Sequence, residues 1–429
     1  MLKSIIVYGI STGINRGVIL IYLPVLLSVL TIWEYGIYSL TFVLSQLLLP
    51  MLSLNGSAAV MREGAEDSKE GFNLFFKYIL ITTIMTLLFS GIAYLTLNQT
   101  TYNWVVFSIL LGGIEALHLL LLTQLRCLNF LWIYLIFILI KVVGFFIILL
   151  VLPLSGISLE KILVLQSFWY ILVFILMMGI LLLISRKEDF FGGRITLKVV
   201  IPYSIILIPH GISQWIISSS DRFIIKVFLG DADVGIYSIA YSIAMVLMLV
   251  NSGIALSLPQ HLIRNYERWT NGDLRKKFIS FYHIICVGIF FVVNLFLILD
   301  KRKFGFLTHH EEISITIIFI WASLHLLGLY LLYSNYLYYH KKTGILATQT
   351  LIAAIINVII TFVLVMKIGF NGAAIGTFIS YSLYLLLIIR SAIKIEPKLK
   401  GRILKDLWYM PIVTVVIFVI GYILLILIL

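Results

Sequence analysis

Long apolar runs separated by short polar joints recur from one end of the chain to the other. They predict spans at roughly 5–30, 35–60, 72–97, 102–126, 130–152, 160–184, 199–229, 232–260, 278–299, 312–338, 344–366, 371–390 and 407–428. Each run is long enough to cross ~30 Å of hydrocarbon at ~1.5 Å per residue. Backbone groups in lipid need partners within their own segment, so the spans are predicted as helices. A β-barrel would instead show alternating segments of about ten residues. The pattern predicts an all-α polytopic membrane protein with about 12–13 transmembrane helices. The longest joints, 61–71, 185–198, 261–277, 300–311 and 391–406, are too short to fold as separate catalytic domains.

Composition supports this reading. Of the 429 residues 62% are apolar and 12% charged, against about 45–50% and about 25% in ordinary soluble domains. The mean hydropathy of +1.11 excludes a soluble globular, disordered or DNA-binding chain. The formal charge of +12 alone would allow nucleic acid as a partner, but the placement of the basic residues gives it to the membrane. With a cytoplasmic N-terminus, 22 Lys and Arg fall in inner joints and span ends and 5 in outer ones. That asymmetry follows the positive-inside rule and predicts a multi-pass protein of the cytoplasmic membrane, with the bilayer and no nucleic acid as partner. Thirteen spans would put the C-terminus outside. The first run is too long for the apolar core of a cleavable signal peptide and lacks a small-residue cleavage site. Cys127 and Cys286 lie in or at the ends of apolar segments and read as isolated thiols.

A repeat organises the spans. Glu34-Tyr35-Gly36-Ile37-Tyr38-Ser39 opens the second, and Asp233-Val234-Gly235-Ile236-Tyr237-Ser238 opens the eighth, 199 residues later. Each copy follows a long span carrying proline: Pro24 in one, Pro202 and Pro209 in the other. The expected organisation is an N-terminal six-helix lobe over 1–184, a cytoplasmic linker over 185–198 and a C-terminal six-helix lobe over 199–390. A basic joint and an extra helix follow over 391–429. An even number of helices per lobe makes the repeat parallel, related by an axis along the membrane normal.

At these residues the chain resembles a known family. Ser220-Asp221-Arg222-Phe223-Ile224-Ile225, Leu229-Gly230 and Val234-Gly235-Ile236-Tyr237-Ser238 resemble the polysaccharide-repeat-unit (O-antigen type) flippases of the multidrug/oligosaccharidyl-lipid/polysaccharide exporter superfamily. Gly372-Ala373-Ala374-Ile375-Gly376-Thr377 is similar to that family's Gly-Ala-Ala motif, and Asn55-Gly56-Ser57 through Arg62 to its second-helix end. The resemblance covers about 1–390 and implies two six-helix lobes around a central cavity. It also implies alternating access and export of a polyprenyl-diphosphate-linked oligosaccharide, with polysaccharide polymerase machinery as a further partner. A thirteenth span departs from the family's usual twelve or fourteen.

Charges inside spans carry the candidate chemistry, because each costs several kcal/mol at mid-bilayer (~2.5–3.5 on insertion scales). They are Arg16, Glu115, Lys141, Asp221, Arg222 and Lys226. Glu115 and Lys141 share a depth on consecutive antiparallel spans and read either as a structural ion pair or as a proton- or cation-linked site. His118, three residues after Glu115, shares its face and joins it and Asp221 as coupling candidates. Arg16, flanked by Gly13 and Gly17, is expected to face the cavity, where its planar fork suits phosphate. Asp221 and Arg222 are adjacent, hence about 100° apart on a helix, and are not expected to face each other squarely. Arg222 and Lys226 share a face and either hold a diphosphate together, or Lys226 snorkels while Arg222 pairs with a carboxylate of another helix. Arg16, Arg222, Lys141 and Lys226 are thus the candidate substrate-binding set.

His210, His283 and His325 read as hydrogen-bonded core histidines, without partners at metal-ligand spacing. His309-His310-Glu311-Glu312 reads as a solvated helix start. Tyr330, Tyr333, Tyr336, Tyr338 and Tyr339 read as an interfacial belt or as sugar-stacking rings. No glycine-rich nucleotide loop and no Ser-His-Asp constellation is recognisable, so neither a cofactor nor catalysis is expected. Four of the six buried charges are basic, which favours an anionic cargo over the drug or cation of an antiporter. A polytopic polysaccharide polymerase or ligase is the other alternative, and would be expected to carry a long outer loop.

Overall fold

The computed structural model describes residues 18–97, 99–151, 157–185, 195–301 and 310–401, with isolated positions at 11, 13, 14, 416, 419 and 423. Residues 5–10, 12 and 15–17 of the first run, Arg16 among them, and most of the run at 407–428 lie outside the described residues. Regular structure among the described residues is helical. In chain order it comprises α1 (Val18–Val29), α2 (Ile32–Leu52), α3 (Gly56–Gly64), α4 (Ser68–Thr96), α5 (Gln99–Cys127), α6 (Leu131–Val151), α7 (Leu159–Ile184), α8 (Leu197–Ile205) and α9 (Ile208–Ser219). There follow α10 (Asp221–Phe228), α11 (Asp231–Ala244), α12 (Val246–Arg264), α13 (Tyr266–Asn271), α14 (Asp273–Leu299), α15 (His310–Tyr339), α16 (Thr343–Ile368) and α17 (Phe370–Ile395).

Ten described helical stretches are long and apolar enough to cross a membrane, and α11 with α12, bent by 52°, makes an eleventh. The chain is an all-α, multi-pass membrane protein. Three predicted spans are divided where the apolar pattern gave no warning, and the run at 232–260 is the bent pair α11 and α12. The run at 35–60 ends as α2 at Leu52, past Pro50, and turns through Leu54 and Asn55 at positive φ before α3 begins. The run at 199–229 breaks into α8, α9 and α10, with Pro202 in α8 and Pro209 in the first turn of α9. Proline removes an intrahelical donor and crowds the preceding turn, so interruptions collect there.

The chain forms two compact units. One runs from Val29 to Trp215; the other joins α1 to the chain from Ile216 onward. These bounds follow packing, whereas the expected lobe bounds follow the sequence repeat.

In the Val29–Trp215 unit, α2 starts at a capping box. The Thr31 hydroxyl accepts from Glu34 N at 3.2 Å, and the Glu34 carboxylate accepts from Thr31 N at 2.9 Å, satisfying amides that have no intrahelical partner. The first repeat copy is this helix start, and Tyr35 to Ser39 are buried. Within the unit α5 packs against α2 and α4. Helix α4 inverts the polarity of a soluble helix. Leu80, Ile84, Leu87, Leu88, Ile92 and Leu95 are exposed, while Thr82, Thr86 and Ser90 turn inward. Thr82 and Thr86 give their hydroxyls to carbonyls one turn back at 2.7 Å, so the small inward side chains bury no unpaired donor.

In the other unit, α15 is the most enclosed of the described spans and packs against α11, α12 and α17. The Gly-Ala-Ala motif has a packing role. A Cβ at Gly372 would strike the Leu364 carbonyl of α16, and one at Gly376 would sit 2.7 Å from Thr361 Oγ1. One turn apart on α17, the two glycines let the antiparallel neighbours α16 and α17 come together. The tyrosine group at the end of α15 divides. Tyr330, Tyr333 and Tyr336 are buried, and only Tyr338 and Tyr339 are exposed. Tyr330 stacks on Tyr384 with ring centroids 4.2 Å apart. The interfacial belt expected from the sequence therefore shrinks to two residues, because the run wraps all faces of an enclosed helix.

Candidate functional site

Among the described residues each unit buries a charge cluster within its spans, and Arg275 and Asp300, at either end of α14, are buried as well. In the Val29–Trp215 unit the cluster joins α5, α6 and α7. Lys141 Nζ lies 2.7 Å from both carboxylate oxygens of Glu115, and the two side chains are 3% and 12% exposed. The ammonium also sits 4.7 Å from the centre of the Tyr170 ring. Gln166 amide donates to Tyr170 Oη at 3.3 Å and accepts from Tyr38 Oη at 3.1 Å, tying α2 to the group. Trp169 Nε1 donates to the Lys141 carbonyl at 3.0 Å. The common depth that the sequence predicts for Glu115 and Lys141 is thus realised as a contact. A cation on an aromatic face and a two-oxygen carboxylate together offset part of the desolvation of both charges.

His118 does not bond to that ion pair. Its Nδ1 is 2.8 Å from the Ile114 carbonyl of its own helix. Its ring lies among Phe137, Tyr170 and Phe174 at 5.2, 5.9 and 5.9 Å. The remaining nitrogen, Nε2, is buried without a hydrogen-bond partner. Helical spacing puts His118 beside Glu115, but its preferred acceptor is the nearer carbonyl one turn back.

The second cluster joins α10 and α11. Asp221 and Arg222 are 1% and 4% exposed. Arg222 Nη1 is 3.6 Å from Asp221 Oδ1, and that same oxygen accepts the Arg222 backbone N–H at 2.8 Å. Tyr237 Oη donates to Asp221 Oδ2. Arg222 Nε donates to Ser238 Oγ at 3.3 Å, and the guanidinium lies 4.2 Å over Tyr241 and 5.7 Å from the centre of Tyr237. Tyr241 Oη in turn donates to the Ser218 carbonyl at 2.9 Å.

Asp221 and Arg222 both lie in the first turn of α10 and meet through one nitrogen and one oxygen rather than fork to fork. A long arginine side chain folds back to the carboxylate beside it even though the two residues point about 100° apart. Arg222 therefore takes its carboxylate from the adjacent residue rather than from another helix. Lys226, half-buried, pairs with Asp231 across the turn at Leu229-Gly230, so both cations of α10 have a carboxylate partner. An acidic residue in the first turn of α10 also suits the positive end of the helix dipole.

The repeat places Tyr38 and Tyr237 at equivalent positions, yet their hydroxyls meet different chemistry, Gln166 in one unit and Asp221 in the other. Sequence reading missed the tyrosines as partners of the buried charges, although their recurrence in the two helix starts was the available signal. Among the described residues no group of three or more His, Cys, Asp or Glu is arranged to hold a metal ion.

Comparison with known proteins follows the same lines. The profile of the polysaccharide biosynthesis protein family matches residues 1–259. Among solved structures, an outward-facing multidrug resistance MATE-family transporter of the MOP superfamily superposes with TM-score 0.65 at 15% identity, covering 93% of this chain and 96% of that one. An inward-facing MATE transporter gives TM-score 0.63 at 14% identity over 92% and 99%. A MOP-superfamily transporter from Pyrococcus furiosus, described as having reverse polarity of its binding pocket, gives 0.62 at 15% over 92% and 96%. No curated protein matches at a significant level. With a family profile over more than half its length and the fold of MOP-superfamily transporters over nearly all of it, the chain belongs to the polysaccharide biosynthesis protein family.

Proposed function

We propose that this protein is a flippase that carries a polyprenyl-diphosphate-linked oligosaccharide across the cytoplasmic membrane by alternating access, without catalysing a covalent step. The family match carries the reading. The excess of basic over acidic residues inside the spans supports an anionic cargo, since a diphosphate cannot cross bare hydrocarbon uncompensated. The distribution of basic residues supports a cytoplasmic N-terminus in this scheme. The glycan-bearing lipid enters from the side of its synthesis and leaves to the polymerase machinery.

Arg16 is the first cationic contact in this scheme. Lys141, Arg222 and Lys226 join it by exchanging a carboxylate partner for phosphate. Glu115 and Asp221, released by that exchange, are the coupling carboxylates, with His118 beside Glu115. The tyrosine faces beside Lys141 and Arg222 support the exchange, since they keep those two cations in place when the carboxylate leaves.

The test is complementation with the full chain in a strain that lacks its flippase. Arg16→Ala should abolish surface polysaccharide while membrane levels stay normal. One lost charge-assisted contact is worth about 1.5–3 kcal/mol, or roughly ten- to a hundredfold in affinity. Arg16→Lys and Arg222→Lys should retain partial export, keeping the charge and losing the fork. Lys161→Ala, at an exposed position, serves as control. Normal export by Arg16→Ala would remove the cavity-anion model. Drug resistance conferred without polysaccharide export would instead favour the antiporter reading.

A further inference from the structure

His283 of α14 and His325 of α15, read from the sequence as unrelated core residues, meet inside the second unit. His283 Nδ1 and His325 Nε2 are 2.8 Å apart, with ring centroids 5.0 Å apart and planes tilted by 49°. The residues are 6% and 0% exposed. One imidazole must donate to the other, which fixes a tautomer on each ring. The outer nitrogens, His283 Nε2 and His325 Nδ1, are both buried with no hydrogen-bond partner. In the neutral pair one of them is therefore an N–H with no acceptor, and the other a lone pair with no donor. A pair serving only to join two helices would gain from partners at both ends.

The surroundings are built around the pair. Tyr282 stacks on His325 at 5.5 Å and 8°. Its hydroxyl lies 3.0 Å from Asn251 Oδ1 of α12 and 3.1 Å from the His325 carbonyl. Asn251 Nδ2 is held by the Leu324 carbonyl at 2.8 Å. Gly328 makes the room, because a Cβ there would land on Tyr282 Oη and within 2.6 Å of Asn251 Oδ1. The titratable group stacked on the pair is Tyr282, and Cys286 follows one turn further along α14. Helix α12 contributes the uncharged Asn251. On the other helices packed against α15, Tyr237 of α11 is bonded to Asp221, and Tyr384 of α17 to Tyr330.

We infer that the His283–His325 pair is a proton-binding site, neutral while Tyr282 and Asn251 seal it and cationic when water reaches the outer nitrogens. A sealed charge is costly, whereas a hydrated imidazolium sharing its proton with a neutral imidazole is not. The bookkeeping also permits relay. Take the state in which His325 Nε2–H donates to His283 Nδ1 and His283 carries its own proton on Nε2. A proton arriving at His325 Nδ1 lets the central proton cross to His283 Nδ1, and the proton on His283 Nε2 departs. The net result is one proton in, one out, with both rings neutral and the direction of the hydrogen bond reversed. The site does not depend on which cargo the protein carries.

The experiment is solid-state ¹⁵N NMR of the full chain in lipid bilayers, labelled at histidine and titrated from pH 9 to 5. At high pH two ring nitrogens should show coupling across a shared N–H···N bond, lost in both His283→Gln and His325→Gln. On acidification the lone-pair nitrogen of this pair should move into the protonated region, with one proton taken up per pair. If the single variants fail to fold, replacing the other six histidines assigns the same signals by elimination. Absence of N–N coupling, or a coupled pair that stays neutral down to pH 5, would overturn the proposal. Because the readout is protonation rather than transport, its failure leaves the flippase reading standing, and failed complementation leaves this one standing.

Discussion

Replacing Lys141 by methionine tests the energetics of the α5–α6–α7 cluster most directly. The substitution keeps an unbranched apolar stem of similar length and deletes the ammonium. It leaves Glu115, 12% exposed, with both oxygens facing the space where Nζ lay at 2.7 Å. Removing one member of a buried pair costs about 3–5 kcal/mol, because the other charge stays behind uncompensated. The lost cation–π contact with Tyr170 adds up to about 2 kcal/mol when desolvated. A domain the size of the Val29–Trp215 unit loses roughly 2–4 °C of midpoint per kcal/mol. The expected fall is therefore about 6–28 °C, measured by tryptophan fluorescence in detergent micelles, where Trp169 reports from the cluster itself. The double variant Glu115→Gln/Lys141→Met should recover most of the loss, since a neutral pair leaves no stranded charge. Equal midpoints for the single and double variants would refute the argument, showing that water or another group already compensates Glu115.

Tyr237→Phe removes one donor from the Asp221 carboxylate and should cost about 1.5–3 kcal/mol, read as a lower unfolding midpoint with no change in membrane insertion. Gly328→Ala should destabilise by about 1–3 kcal/mol through overpacking against Tyr282 and Asn251, whereas Gly179→Ala, where a Cβ meets nothing within 4 Å, should not. In a background lacking Cys127 and Cys286, Glu66→Cys and Lys301→Cys should react with an impermeant thiol reagent from opposite sides of the membrane. Labelling from one side only would refute the topology. Tyr266 joins α13 to the ends of α15 and α17, with its hydroxyl 2.8 Å from His340 Nε2 and 3.1 Å from Glu396. Burial first, then Glu396, push its phenol up from the usual tyrosine value. Its protonated form is therefore favoured by the fold, and the stability it lends is complete below the free tyrosine pKa and lost as pH rises beyond it. Tyr266→Phe should accordingly flatten the decline of the unfolding midpoint measured above pH about 10.

The all-α, multi-pass class was legible in the sequence, because it follows from local hydrophobicity and rise per residue. The bilayer fixes how long an apolar run must be, and a charge inside one is conspicuous wherever it stands. Even the Glu115–Lys141 contact could be read, since consecutive antiparallel helices bring equal depths together. The motif Gly372-Ala373-Ala374-Ile375-Gly376 was visible as a pattern, and its role in bringing α17 against α16 emerged only when the Leu364 carbonyl was found in its way. What tertiary structure alone decided was partnership across long separations and across breaks. Arg222 reaches the carboxylate beside it through the length of its own side chain, a choice that helical spacing leaves open. Tyr38 and Tyr237 occupy matching places in the repeat yet serve different polar groups, because one faces a helix distant in sequence and the other the helix just before its own. His283 and His325, 42 residues apart, pair for the same reason. Periodicity fixes which face of a helix a residue occupies, but which helix lies against that face is a property of the packed unit.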